Sequence, residues 1–375
     1  MIFGVKGQWK CLVKINDLEL EPESIQNLTI IEEAGNILPV IELQLSVISN
    51  TLFEAINNAS VLRIMLTKDD EKEDLFSEFF IMKNHNLPAT PGAHVINIKG
   101  ILNVQSYWLN QEIISYDDSA VNAIAACLQE NGMTPEIKHP SADRQKWIRY
   151  NQTAQRFISE TLKHTYGDDN SAYSIGIGHD KRVVIADLTK VLQEVPKENL
   201  MSFSTKSEGA KVYNLIQPIR NNFGFYDTLT KAGRSILNFD QIRGTYKSYV
   251  YNPDKITTSD MPSLDKFNRV SAFDHMNDNT HDNYYLATLT QSGNLAKLSN
   301  FATYVEFGNQ YIDVRLLDGY TVIFPPDNTS SSLASEVYSG KWVVTKIIRF
   351  IQSNKLLSTV EVSREGINTL KQNTD

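Results

Sequence analysis

Cysteine is nearly absent: Cys11 and Cys127 are the only two in 375 residues. They fall in different candidate domains, so a disulfide scaffold is excluded and two buried free thiols in a reducing compartment are expected. Basic charge is also in short supply, with 36 Lys and Arg against 44 Asp and Glu and a formal net charge of −8. That balance, with no concentrated Lys/Arg stripe, excludes a clamp that grips nucleic-acid phosphates. No apolar run approaches the roughly 18 residues that cross a bilayer. Met1 to Leu12 lacks the basic segment and apolar stretch of a secretion signal. A soluble protein, made and used without passing a secretion channel, is the expectation.

Signatures of chemistry are scarce too. The histidines His85, His94, His139, His164, His179, His275 and His281 are scattered. The densest polar cluster, Asp274, His275, Asn277, Asp278, Asn279, His281 and Asp282, fits neither the zinc-helix spacing nor the calcium-loop pattern and reads as a polar loop. Ser174-Ile175-Gly176-Ile177-Gly178 has glycines near a strand end, but a second strand follows where a dinucleotide fingerprint needs a helix. Phosphate-loop and nucleophile-elbow motifs do not occur. Adjacent carboxylates such as Glu32-Glu33 and Asp168-Asp169 do not converge on one bond, because neighbours on a strand face opposite ways. No catalytic, cofactor-binding or metal-binding residue is assigned, and no cofactor is expected. Carboxylates from distant segments could still meet, so a hydrolase stays open.

What the sequence does hold is β patterning. Its length exceeds what one core usually spans, so two or more domains are expected. A hydrophobic fraction of 41% and a charged fraction of 21% suit a globular protein. Ile37, Pro39, Ile41, Leu43, Leu45 and Val47 alternate with smaller or polar residues, the period of a half-buried strand. Ile25–Glu32, Val61–Thr67, Glu78–Asn84 and Val95–Val104 are further strands. Asn50–Asn58 reads as a helical turn or loop and Lys68–Asp74 as a solvated charged loop. A small antiparallel barrel or sandwich is the expected product.

The middle changes character. Asp117-Asp118-Ser119 reads as an N-cap cluster for a helix over Ala120–Glu130, stopped at Asn131-Gly132. A second helix follows Asn151-Gln152-Thr153 and carries Phe157, Ile158 and Leu162. Ala172–Ile177 and Arg182–Asp187 form a hairpin turning at Gly178-His179-Asp180. Strand patterning returns at Lys211–Ile219. Residues 221–300 show no long apolar period and read as a lateral domain or long loops. Tyr304–Phe307, Tyr311–Leu317, Thr321–Phe324, Lys341–Ile351 and Leu356–Ser363 are strands, with a polar loop at Asp327–Ser335 and a polar tail at the end. Sixteen Tyr, sixteen Phe and four Trp mostly fill cores, whereas Tyr246, Tyr249, Tyr251, Tyr284 and Tyr285 read as interface residues.

Taken in order, four stretches resemble the baseplate hub proteins of contractile-tailed bacteriophages, related to the late control protein D family and the hub portion of VgrG spikes. They are Ile25–Glu33 with Ile37–Val47; Asp118–Gly132 with Trp147-Ile148-Arg149-Tyr150-Asn151-Gln152-Thr153 and the helix through Leu162; the hairpin Tyr173–Leu188; and Tyr338–Lys346 with Thr359–Gly366. Order, spacing and total length carry this resemblance, since none of the stretches is diagnostic alone. It implies a mainly β fold with α+β insertions. Two small tail-tube-like β-barrel domains would occupy 1–107 and, for the second, 201–220 with 301–367. An α+β domain would fill 108–200, a lateral or loop-rich insertion 221–300 and a polar tail 368–375.

The resemblance further implies a homotrimeric, pseudo-hexameric ring in the virion tail baseplate, assembled in the host bacterial cytoplasm. Such a ring joins the tail tube to the central spike. Its partners would be the spike protein, tube or tube-initiator proteins and a tape-measure protein, and DNA or effectors would pass through without specific binding. Relatives continue into a spike, so a separate spike polypeptide is expected here. An acidic lumen would repel phosphates. Two other readings compete: a carbohydrate- or receptor-binding tail-tip β protein, and a cell-wall glycosidase with two facing acids, one of raised pKa.

Overall fold

The early period-two alternation is realised as a run of antiparallel strands. A computed structural model describes residues 9–16, 18–47, 53–54, 56, 60–68, 71–90, 93–202, 211–215, 220–221, 234–240, 244–251, 269–275, 280–299, 301–308, 314–323, 339–352 and 355–365. In its first part lie β1 (Trp9–Ile15), β2 (Leu18–Glu19), β3 (Ile25–Glu33), β4 (Val40–Val47), β5 (Val61–Lys68), β6 (Glu71–Thr90) and β7 (Ala93–Leu102). Their neighbour order is β3-β4-β7-β6-β5-β1-β2. On β4, Ile41, Leu43, Leu45 and Val47 point inward and Glu42 outward, as the alternation requires. Val13 and Ile15 of β1 share one core with Leu28 and Ile30 of β3, although four strands separate them in the sheet. The sheet therefore curls over its own inner face.

Two expectations change here. The strand expected from Ile37 starts at Val40, because Gly35 (φ +107°) turns the chain first. That turn leaves Ile37 46% exposed and buries Leu38 instead. The charged loop expected over Lys68–Asp74 is shorter, since β6 already begins at Glu71. Only Phe53, Glu54 and Ile56 of the Asn50–Asn58 segment lie within the described residues.

The middle segment holds α1 (Gln105–Leu109), β8 (Gln111–Asp118), α2 (Ala120–Glu130), β9 (Thr134–Ile137), β10 (Gln145–Thr153), α3 (Ala154–Lys163), β11 (Tyr173–Ile177), β12 (Arg182–Asp187) and α4 (Leu188–Gln193). Helix α2 spans the expected residues and ends at Gly132, whose φ of +75° closes it. Its cap is not the expected one: Ser119 makes no side-chain cap bond. Asp143 instead accepts from the Ala120 amide at 2.9 Å, a carboxylate brought in from a distant loop. At α3, Thr153 does cap, accepting from the Arg156 amide at 3.3 Å. Strands β11 and β12 form the expected hairpin, with β9 added parallel to β12. Ile124, Leu128, Phe157 and Ile158 pack on Ile175, Val183 and Ile185 to make the core. A separate two-stranded ribbon, β8 with β10, was not legible as strands.

The last part contains β13 (Glu198–Ser202), β14 (Lys211–Leu215), β15 (Arg220–Asn221), β16 (Arg234–Asp240), β17 (Thr245–Tyr251), β18 (Arg269–His275), α5 (Tyr284–Leu298), β19 (Phe301–Gly308), β20 (Gly319–Ile323), β21 (Gly340–Gln352) and β22 (Lys355–Arg364). The stretch read as loop-rich holds a three-stranded sheet, β17-β16-β18, and the 15-residue α5. The helix escaped notice because it buries polar residues beside apolar ones, which erases the apolar period. Gln291 is the example: it accepts from the Tyr173 amide at 2.9 Å and donates to the Tyr173 carbonyl, so its amide continues the β11 ladder. The strand expected over Tyr311–Leu317 is a turn in its described part, with Leu317 at φ +64°. Asp327–Ser335 and residues 368–375 lie outside the described residues.

Pairings β19–β14, β14–β13, β13–β20, β20–β21, β21–β22 and β22–β19 return to the strand they start from. Inside them Trp342, Phe301, Phe307, Tyr320, Val344 and Val362 form another core. β21 also pairs antiparallel with β3, from Lys346 opposite Glu33 to Ile351 opposite Leu28. That one pairing merges both strand groups into a 14-stranded, largely antiparallel sheet, so the chain is mainly β. The hairpin of β21 and β22 reaches across and places Ile351 and Leu356 in the N-terminal core. Ile351→Ala is expected to destabilise the protein by about 2–5 kcal/mol, read from urea unfolding. An unchanged urea midpoint would show that the crossing hairpin does not tie the cores together.

Candidate functional site

The N-terminal strands, the middle segment and the C-terminal strands meet at the end of β3. There the Ala34 amide donates to the Thr345 carbonyl and the Gly35 amide to the Ile175 carbonyl, each at 2.7 Å. Glu32 follows Leu28 and Ile30 on the inward face of β3, and Arg349 stands between Ile347 and Ile351 on the inward face of β21. The two side chains form a buried ion pair. The other Glu32 oxygen accepts from the His179 amide in the β11–β12 turn at 2.7 Å. One carboxylate thus fastens all three parts. Glu33, one residue on, faces outward to Lys346 at 3.2 Å, so the pair splits across the sheet as alternation dictates.

Burial alone would raise the Glu32 carboxyl, but the Arg349 charge, His179 and their hydrogen bonds hold it below the usual carboxylate range. Burial pushes the His179 imidazole below its ordinary value, against the opposing pull of Glu32. Both ring nitrogens of His179 are buried without a hydrogen-bond partner. They border a cavity of about 50 Å³ lined by Glu32, Asp180, Arg182, Arg315 and Arg349, polar and roomy enough for water. The signal for this junction was in the sequence: an acid and a base, each at an apolar register position of a strand. Reading the acids only as possible catalysts missed it.

A second clasp lies beside the first. Asp318 accepts from Lys138 at 2.7 Å and Lys197 at 3.2 Å, linking the middle segment to the turn before β20. Gly176 belongs to this packing, because a Cβ there would lie 2.4 Å from the Leu316 Cβ. On the other side of β11, the Asn36 amide donates to the Gln155 carbonyl at 2.7 Å and to Ser159 Oγ at 2.8 Å, while Tyr107 donates to Asn36 Oδ1.

The remaining candidates take structural places. His281 Nε2 lies 3.1 Å from the His164 carbonyl, within an aromatic group in which His164 stacks on Tyr284 with centroids 3.7 Å apart. Asn277–Asn279 of the polar cluster lie outside the described residues, and no group of three or more potential metal ligands occurs among the described ones. Asp168 and Asp169 are exposed. Asp187 is an acid whose pKa is raised, by burial, but it caps α4 by accepting from the Thr189 amide at 3.1 Å. Tyr285 is buried, a core residue and not the expected interface; Tyr249 and Tyr284 are partly buried against its cluster, Tyr246 is exposed, and the Tyr251 side chain lies outside what is described. Cys127 is buried, its thiol pushed up to about 11 by burial, while Cys11 is only half-buried.

No protein-family model and no curated protein sequence matches the chain. Solved structures do. A tail protein from Neisseria meningitidis MC58 superposes with a TM-score of 0.57 at 11% identity, covering 96% of this chain and 98% of that one. The 43 kDa tail protein of prophage MuSo2 from Shewanella oneidensis gives 0.57 at 8% identity, over 96% and 100%. A chain of the lidded Francisella PdpA–VgrG complex gives 0.50 at 10% identity, over 98% of this chain and 54% of that one. The chain has the fold of the two tail proteins.

Arg349→Leu, which strands the Glu32 carboxylate, is expected to destabilise by about 3–5 kcal/mol in urea titrations; a change near zero would mean Glu32 is not committed to Arg349. For the groups of this junction acidification acts in one direction, while Asp187, raised by burial, works the other way. The folded state resists protonating His179 below its usual 6.5 and Glu32 below its usual 4.5, so the unfolded chain binds more protons in both windows. Stability should fall as pH drops through 6.5 and fall again below 4.5. His281, also lowered by burial, adds to the upper step. His179→Gln should flatten part of that step in melting curves; an unaltered pH profile would contradict it.

Proposed function

We propose that the chain is a structural subunit of a tail baseplate hub, three copies of which close a pseudo-hexameric ring between tail tube and central spike. The observation that carries this reading is the two-way coverage: the fold of two tail proteins is matched over nearly the whole of this chain and of theirs. On this reading residues 1–107 form one β-barrel domain and 201–220 with 301–367 a second. The curled N-terminal sheet and the self-returning C-terminal pairings support that division. Residues 108–200 then form the middle domain and 221–300 the lateral one. The β3–β21 pairing sets the two strand groups side by side in one sheet, the arrangement a pseudo-sixfold ring of three chains asks for.

The same reading assigns the outward face of β3, β4 and β7 to the channel. Asn27, Thr29, Gln44, Asn97 and Lys83 line it, with Glu42 paired with Lys99 at 2.8 Å, along a groove of about 440 Å³. Beside these amides and hydroxyls the two bases and one acid leave a single base in excess, so on this reading the lining is not the acidic one expected from the chain's net charge. The role is structural and needs no catalytic residue. The ring belongs to the tail of a virion or virion-like particle, with a spike, tube proteins and a tape-measure protein as partners.

Light scattering on the purified chain, alone and with its spike partner, tests this. A trimer, or a monomer that becomes trimeric on meeting the spike, is expected. A stable monomer indifferent to spike and tube proteins would overturn the reading.

A further inference from the structure

Folding puts a histidine ring where the described residues give it nothing to bind. His179 is 6% exposed, and neither of its ring nitrogens meets a hydrogen-bond partner among them. A neutral imidazole has one donor and one acceptor, and leaving both unmet away from bulk water is costly. The backbone holds the ring in this place. The His179 amide is bonded to Glu32, and the Lys181 amide closes the β11–β12 turn on the Gly178 carbonyl at 3.0 Å. The only space the ring borders here is the cavity of about 50 Å³ at the three-way junction.

The wall of that cavity is charged. Glu32 and Arg349, buried and paired, stand beside His179, while Asp180, Arg182 and Arg315 are partly exposed and open the cavity toward solvent. Asp180 answers Arg182 at 2.6 Å. The third guanidinium, Arg315, pairs with an acid outside the wall, Glu136, at 3.5 Å, and both side chains are accessible enough for solvent to screen them. Three bases and two acids thus leave the wall one positive charge in excess. Burial disfavours any further charge on the ring itself.

Water would satisfy the ring but leave that excess charge uncompensated. An anion does both, accepting from the imidazole N–H and cancelling the charge. The volume has room for a few waters or one small ion and excludes a peptide, a sugar or a nucleotide.

We propose that this cavity binds one small monovalent inorganic anion of the size of chloride, between His179 and the arginines of the wall. The site goes beyond the ring reading and does not depend on it. Its walls come from β3, β21, the β11–β12 turn and the turn before β20, so it exists only once those parts have met. The ion therefore binds the folded chain and fastens the junction by mass action. Glu32 and Asp180 oppose the ion and keep its affinity modest. An anion beside the ring also favours the imidazolium form, against the burial that disfavours it.

Urea unfolding at constant ionic strength tests the site, with sodium chloride exchanged for sodium gluconate, whose anion is too large to enter. Once the site is filled, the unfolding constant of the wild type should fall about tenfold for each tenfold rise in chloride, the mark of one ion released per chain. The dependence should flatten in His179→Leu and in Arg315→Gln. Residue 315 is partly exposed, so Arg315→Gln decides alone if His179→Leu misfolds. The stability that the wild type loses as pH drops through 6.5 should be smaller in chloride than in gluconate. Stability indifferent to chloride would mean that water alone fills the cavity and would overturn the proposal. A chloride dependence equally steep in the wild type and the variants would put the ion elsewhere and overturn it as well.

Discussion

A buried carboxylate shared by three parts of the chain holds this structure together. Glu32 sits at an inward position of a strand otherwise filled by Leu28 and Ile30, where an unpaired charge could not stay. Arg349 from β21 and the His179 amide from the β11–β12 turn answer it from two directions. A pair so placed adds little net stability over a hydrophobic alternative, yet it is expensive to break. Its consequence is register. With Arg349 tied to Glu32, β21 has one alignment on β3. A one-residue slip of β21 would turn Arg349 and its apolar neighbours outward and leave Glu32 buried without its counter-charge.

From that alignment the rest follows. β21 is long enough to serve both strand groups, pairing with β20 near its start and β3 near its end. The crossing brings Ile351 and Leu356 into the N-terminal core, so that core is completed by the C-terminal hairpin. The middle segment is pinned to the same place through Asn36, Gly176 and Asp318. A molecule fastened in this way is rigid where its parts meet and presents its unused surfaces, the polar face of β3, β4 and β7 and the outward face of the β8–β10 ribbon, in fixed directions. Fixed directions are what ring closure demands, since small errors in a repeated rotation would leave a ring open.

Much of this was legible in the sequence wherever one face of an element is apolar and the other is not. The alternation through Leu43, Leu45 and Val47 and the spacing of Val121, Ile124 and Leu128 are such cases. It failed where tertiary contacts supply what the local pattern lacks. Gln291 is polar and buried, so α5 has no stripe; Asp143 caps α2 from 23 residues away, so the nearer Ser119 looked sufficient. The cause of the Gly176 position, Leu316, is visible only in three dimensions. Glu32 and Arg349 are far apart in sequence, and each is odd only when its strand register is known.

Electron-microscopic reconstruction of the assembled protein tests the central claim most directly. The account predicts a particle of three chains around an open channel, with six similar β lobes alternating between the two strand groups of each chain. A particle with no channel, or three chains whose two strand groups do not alternate around one axis, would contradict it.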